Sequence, residues 1–325
     1  MKAWTRLLRV AMLAGFTAGL VSCSTIDAVT GKKVNNLWSV DDDIELGTDF
    51  FTDIKKWARE EKVGINKDPR RVRQIERVTR NIAAVSHLPD LPYEVILLHT
   101  NEVNAMALPG GKIIVLEGLY DPEEGLVRDE DELAAVLAHE IAHVNCRHST
   151  EEMTRNLPWE LLLLGGAIYA EYKEDEDLQN ILGGAFLIYE GLIVTKYSRK
   201  DEREADRVGL MYMARAGYDP RAAVRLWERA AKEESGIDRA LNMLSTHPSC
   251  EARARDLQEH LPEALEAYRA AKAAPKGRGQ AFAQDSGPDW VKIKDPYRSL
   301  VSAPADGSSA SPTQKKIAGQ GGWKR

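Results

Sequence analysis

Between residues 40 and 62 the apolar positions fall at Ile44, Leu46, Phe50, Phe51, Ile54 and Trp57, a spacing that predicts an amphipathic helix. Asp41, Asp42 and Asp43 stand in its first turn, where the helix dipole favours anions. Pro69 opens a second helix, with Val72, Ile75, Val78, Ile82 and Val85 at helical spacing. The period then shortens. Residues 93–99, 103–108 and 113–116 read as strands, the last two joined by the turn signal Pro109-Gly110-Gly111. A small antiparallel sheet is expected, with Asn104 and Ala105 on an exposed edge able to take an extended peptide as an added strand. Helical character returns over residues 132–144, which are rich in Ala and Leu and free of Pro and Gly. Two apolar stretches follow, 157–170 and 178–194, each containing Leu-Gly-Gly-Ala. They read as a buried helical pair, with membrane contact as the alternative. Helices over 201–216, from Asp219-Pro220 onward, and over 249–260 complete the pattern. The fold class is α+β, mainly helical, with the sheet beside the helix at 132–144.

Composition adds limits rather than elements. The 325 residues allow one good-sized domain plus appendages, and 29% charged residues with a net charge of -6 are ordinary for a globular protein. There is no basic stripe with interleaved aromatics, so nucleic acid is excluded as a partner. Beyond about residue 271 the chain turns to Ala, Gly, Ser, Pro and Gln with excess Lys and Arg, which predicts a disordered tail over 271–325.

The chemistry concentrates in the helix at 132–144. His139 and His143 stand one turn apart on one face, so both imidazoles can reach one ion. Glu140 projects beside them, placed to bind a water rather than the metal. This is the HExxH pattern of a zinc site, with one Zn2+ per chain and Glu140 as catalytic base. A third protein ligand is required. His148 is one residue out of register for the metzincin spacing. Glu202 and Asp206, one turn apart in a charged run, are the better candidates: Glu202 to bind zinc, Asp206 to orient a ligand His. A solvated helix face is the competing reading of that run.

The N-terminus reads as a leader. Lys2, Arg6 and Arg9 precede an apolar run from residue 10 to 20 that is too short to span a bilayer. It ends in Leu20-Val21-Ser22-Cys23, which resembles a bacterial lipobox. Processing there would leave Cys23 lipid-bearing, anchored at the periplasmic face of the outer membrane, with Ser24 as the sorting residue. Residues 1–22 are then a signal peptide and 23–36 a tether.

Taken in order, HExxH, Ser-Arg-x-x-Glu-x-Glu-Ala-Asp-Arg and Ser-Thr-His-Pro resemble the HtpX-like gluzincin metallopeptidases, in the soluble periplasmic branch with BepA-like and LoiP-like proteins. The likeness runs from about Asn104 to Arg253. It implies a zincin-type metallopeptidase domain over 37–270, with zinc on His139, His143 and Glu202 and with Asp206 behind them. It further implies that His247 lies at the metal, as a resting ligand or an oxyanion donor, and that Arg253 anchors the His-Pro loop or binds substrate. Given that placement of His247, Cys146 and Cys250 are each three residues beyond a metal-site His, and a disulfide between them is expected. The chain lacks the repeat domain of BepA-like proteins. The implied activity is endopeptidase cleavage of unfolded or misassembled envelope proteins. The alternative is an assembly factor whose zinc site is latent, occluded by His247.

Overall fold

The computed structural model describes residues 24–122, 125–157, 197–233 and 250–274. The leader with Cys23, nearly all of the apolar pair, the His-Pro loop with His247 and the tail beyond 274 lie outside the described residues, as does the Cys250 side chain.

Strands β1 (Ser24–Ile26) and β2 (Lys33–Asn35) pair antiparallel, where a tether was expected. The segment folds because Val29 is buried in the main core and Asn36 donates to the Thr150 hydroxyl at 3.0 Å. Helix α1 (Val40–Glu60) starts at Ser39, whose side chain accepts from the Asp42 N–H while the Asp42 carboxylate accepts from the Ser39 N–H. Strand β3 (Gly64–Ile65) leads to α2 (Pro69–Ala83), capped by Asp68 with Pro69 in its first turn.

Next come β4 (Glu94–His99), β5 (Ala105–Leu108) and β6 (Lys112–Leu116), which with β3 make one sheet in the order β3-β4-β6-β5. The sheet is mixed rather than antiparallel throughout, because β4 runs parallel to β6. Strand β5 forms the expected hairpin with β6 across Pro109-Gly110-Gly111. Gly110 takes φ 66°, and a Cβ there would stand 2.4 Å from the Ile44 Cα of α1. The two-residue period sorts the strands: Ile96, Leu98, Ile114 and Leu116 pack with Phe51 and Ala58 of α1, while Leu97, Ile113 and Val115 belong to the main core. Covered on both faces, β6 is buried at every position, which is why it reads as an unbroken apolar run.

The metal-motif helix α3 (Glu130–Asn145) crosses the other face of the sheet, buried from Glu132 to Asn145. Asp129 caps it, accepting from the Glu132 N–H, and Arg229 holds the buried Glu132 carboxylate at 2.7 Å. Helices α4 (Arg199–Arg215), α5 (Arg221–Glu233) and α6 (Cys250–Ala273) close the core. Helix α6 runs to Ala273, so the expected tail boundary at 271 falls inside it. Among the described residues no helix is long and apolar enough to cross a membrane.

Candidate metal centre

Helix α3 supplies His139, Glu140 and His143, all buried, because its Ala and Leu side chains fill the core around them. Helix α4 supplies Glu202 and Asp206. Its start is set by Ser198, whose hydroxyl accepts from the Asp201 N–H in a capping box, and Arg155 pairs with Asp201 at 2.8 Å. The charged run of α4 is therefore no solvated face at these positions: Asp201, Glu202 and Asp206 are all buried.

The ligand atoms converge. His139 Nε2 and His143 Nε2 are 3.0 Å apart, and Glu202 brings one oxygen to 3.5 Å from the first and the other to 3.4 Å from the second. Three donors around one tetrahedral ion, each about 2.0–2.2 Å from it, stand roughly 3.4 Å apart. Two imidazole nitrogens and a carboxylate at these separations fit a divalent metal. Among the described residues, His139, His143 and Glu202 are the group close enough together to hold one.

Behind His139, Asp206 Oδ1 lies 3.0 Å from Nδ1, leaving Nε2 turned to the cluster. Burial and the Arg253 charge act against protonation of His139, but the Asp206 and Glu202 carboxylates prevail and raise it to about 9 in the metal-free centre. His143 goes the other way, pushed well below its ordinary value by burial and by its His139 neighbour. Burial opposes the Asp206 charge, yet Arg253 and His139 hold that carboxyl below the usual range.

Arg253 lies in the interior, against the acids of α4. It is 2% exposed, its Nε donates to Asp206 at 2.8 Å, its Nη1 lies 3.3 Å from Glu202, and its guanidinium sits 3.5 Å over the Trp227 ring. Among the described residues it is a counter-ion to two acids, and the loop it was expected to anchor lies outside them. Asn104 and Ala105 are also buried, and the Ala105 N–H donates to Asn104 Oδ1 at 2.9 Å. These two residues line the β5 edge through backbone, not through exposed side chains.

The expected disulfide is corrected as well. Cys146 is a free thiol, buried in the main core just past α3, where burial and the nearby Asp27 and Glu204 push its pKa well up. Two residues that the motif reading passed over, and His148, which it weighed only as a metal ligand, complete the centre. Tyr197 stacks on His143 with ring centroids 4.0 Å apart and planes 17° apart. Gly209 lets α4 approach the α3 backbone, and His148 packs behind His143. A small residue one turn beyond Asp206 on the same helix face was the available signal for Gly209.

The peptidase family M48 model matches residues 69–261, which takes in α2 through the first half of α6. The chain belongs to peptidase family M48. It is similar to the mitochondrial metalloendopeptidase OMA1 of Schizosaccharomyces pombe, 42% identical over 58% of this chain and 53% of that protein. OMA1 of Arabidopsis thaliana is 36% identical over 71% of this chain and 44% of that one. The beta-barrel assembly-enhancing protease of Escherichia coli O157:H7 is 25% identical, over 75% and 50% respectively. The chain spans about half the length of these relatives. Family membership implies a metal cofactor, and the His-His-Glu group is suited to hold it. The expected location at the bacterial outer membrane is overturned: the relatives at 42% and 36% identity are mitochondrial proteins by name. The expectation rested on the short lipobox-like run ending at Cys23, and so short a pattern does not specify a compartment.

Proposed function

We propose that this chain is a zinc-dependent endopeptidase that cuts extended segments of unfolded or misassembled proteins. The observation that carries the reading is the triangle of His139 Nε2, His143 Nε2 and the Glu202 carboxylate, with sides of 3.0, 3.5 and 3.4 Å, on the same helix as a buried Glu140. His139, His143 and Glu202 would hold the ion. Zinc bound there supplies Lewis acidity toward a water and the scissile carbonyl.

The protein side chains do the rest. Glu140 takes a proton from the attacking water and later delivers it to the leaving amine. Asp206 orients His139, and Arg253 lies against Asp206 and Glu202 as their buried guanidinium partner. His247, three residues before α6 in the sequence, is the proposed donor to the oxyanion.

Strand β5 supports the choice of substrate. It is the edge of its sheet and packs beside α3. The Leu116 N–H donates to the Asn104 carbonyl, so by the alternation of an antiparallel ladder residues 105 and 107 turn their backbone groups away from β6, and a segment pairing there would displace Asn104 Oδ1 from the Ala105 N–H. An unfolded segment pairing along that edge is read by its backbone, which suits a broad range of sequences. A lipid on Cys23 would tether this unit one residue before β1.

The test is cleavage of unfolded casein by the purified full chain, with metal content determined alongside. Zinc near one per chain, with cleavage abolished by a chelator and restored by zinc, is the expected result. Zinc bound without cleavage would sink the peptidase assignment, and no bound zinc would sink the metal site itself.

A further inference from the structure

His148 stands outside the His139–His143–Glu202 group that could hold an ion, and it is nevertheless buried at the centre. Its Nδ1 lies 2.8 Å from the Nδ1 of His143, whose Nε2 is turned toward Glu202 and His139. Two ring nitrogens at that distance share one proton, one donating and the other accepting. A His143 that offers the Nε2 lone pair to a metal carries its proton on Nδ1. It therefore donates to His148, which must accept on Nδ1 and carry its own proton on Nε2. That Nε2 lies 3.6 Å from Glu204 Oε2.

We propose that His148 is a positioning residue for the metal: it accepts the Nδ1 proton of His143, fixes that ring in the ligating tautomer, and is itself oriented by Glu204. The inference rests on the zinc site proposed above. It gives the two ligand histidines matched supports, Asp206 behind His139 and the His148–Glu204 pair behind His143.

The backbone is built for this. Helix α3 ends at Asn145, and Arg147 then adopts φ 57°, an uncommon conformation for a side chain with a Cβ. Its guanidinium is held there by the buried Asp43 carboxylate, at 2.5 and 3.1 Å, and by the Trp38 carbonyl at 2.5 Å. The left-handed residue breaks the helix, so the chain re-enters helical backbone at 148 with the His148 ring folded back on His143. Ser149, the next residue, bonds the Tyr197 hydroxyl at 2.8 Å, and the Tyr197 ring covers the face of His143. The dipeptide 148–149 thus fixes His143 at its edge directly and at its face through Tyr197. Strain of this kind, maintained by a buried ion pair, belongs to sites that need one geometry.

The test measures zinc affinity of the full chain by competition with a chelator, in the wild type, His148→Phe and His148→Gln. Phe keeps the ring volume and removes the acceptor, whereas the Gln amide oxygen can take the Nδ1 proton. Loss of an outer partner of a metal-bound His typically weakens binding 10–100-fold. His148→Phe should fall in that range and His148→Gln should return to within a few-fold of the wild type. Phe binding as tightly as the wild type, or Gln as weakly as Phe, overturns the inference while leaving the zinc site standing. A wild type that binds no zinc overturns both. Should His148→Phe fail to fold by its metal-free melting curve, Glu204→Gln carries the test: a several-fold weaker site supports the inference and unchanged affinity overturns it.

Discussion

Gly209 lies directly against His139: a Cβ at position 209 would stand 2.9 Å from the His139 backbone nitrogen and 2.9 Å from the Ala138 carbonyl oxygen. Both neighbours are helix backbone and cannot step aside. The helix carrying Glu202 and Asp206 reaches the helix carrying the two histidines because this residue has no side chain.

Gly209→Ala should therefore push α4 away from α3. Overpacking of this kind costs about 1–3 kcal/mol, and the displacement also draws Glu202 and Asp206 back from the histidines. Thermal melts of the metal-free protein and zinc competition titrations should both show losses. A variant with native melting and native affinity would mean that the two helices do not depend on this contact.

Glu140→Gln separates chemistry from binding. The amide keeps the shape of the side chain but cannot accept a proton, and general-base catalysis is worth on the order of 10²–10⁴-fold. Zinc content should stay at the wild-type level while casein cleavage falls by that factor. Turnover at the wild-type rate would remove Glu140 from the reaction.

Arg253→Met removes a buried guanidinium that pairs with both Asp206 and Glu202. Removing one partner of a buried ion pair costs about 3–5 kcal/mol. Denaturant unfolding of the metal-free variant should show a loss of that order, and added zinc should recover part of it by supplying positive charge at the same carboxylates. Full stability without metal would contradict the counter-ion role.

His87 predicts an acid-sensitive interior away from the metal. Its Nδ1 is 2.5 Å from the Tyr212 hydroxyl, and burial, with the Arg215 charge, lowers its pKa from 6.5 to about 4. The folded protein holds this ring neutral while the unfolded chain protonates it, so between those two values the unfolded state binds more protons. Stability contributed by the neutral ring is intact above 6.5 and is lost as pH falls toward 4, by at most about 3 kcal/mol. Denaturation midpoints of wild type and His87→Gln from pH 7 to pH 4 should diverge, the wild type falling faster. Parallel curves would place the acid sensitivity elsewhere.

The sequence by itself determined what is local. Spacing of one helical turn put His139 and His143 on one face, and the acidic run from Asp41 to Asp43 and Pro69 marked two helix starts within a residue or two. Turn chemistry placed the β5–β6 hairpin around Gly110. These follow from periodicity and backbone preference, which act over a few residues. Glu202 was legible only through the order of motifs, since its charged helix reads as a solvent face until a partner element buries it.

Only the tertiary structure decided the rest. Strand direction is not written in an apolar run, so the parallel pairing of β4 with β6 depended on how the chain crosses between them. A lone Arg253 or His148 carries no pattern, and their positions against Asp206 and His143 exist only after distant helices have packed. Cys146 is a free thiol inside the main core, a placement that its spacing from His143 does not encode. Hydrophobic periodicity assigns a residue to a buried face but not to the neighbour it meets there. That neighbour is selected by close packing, where the absence of one Cβ at Gly209 sets the distance between metal ligands.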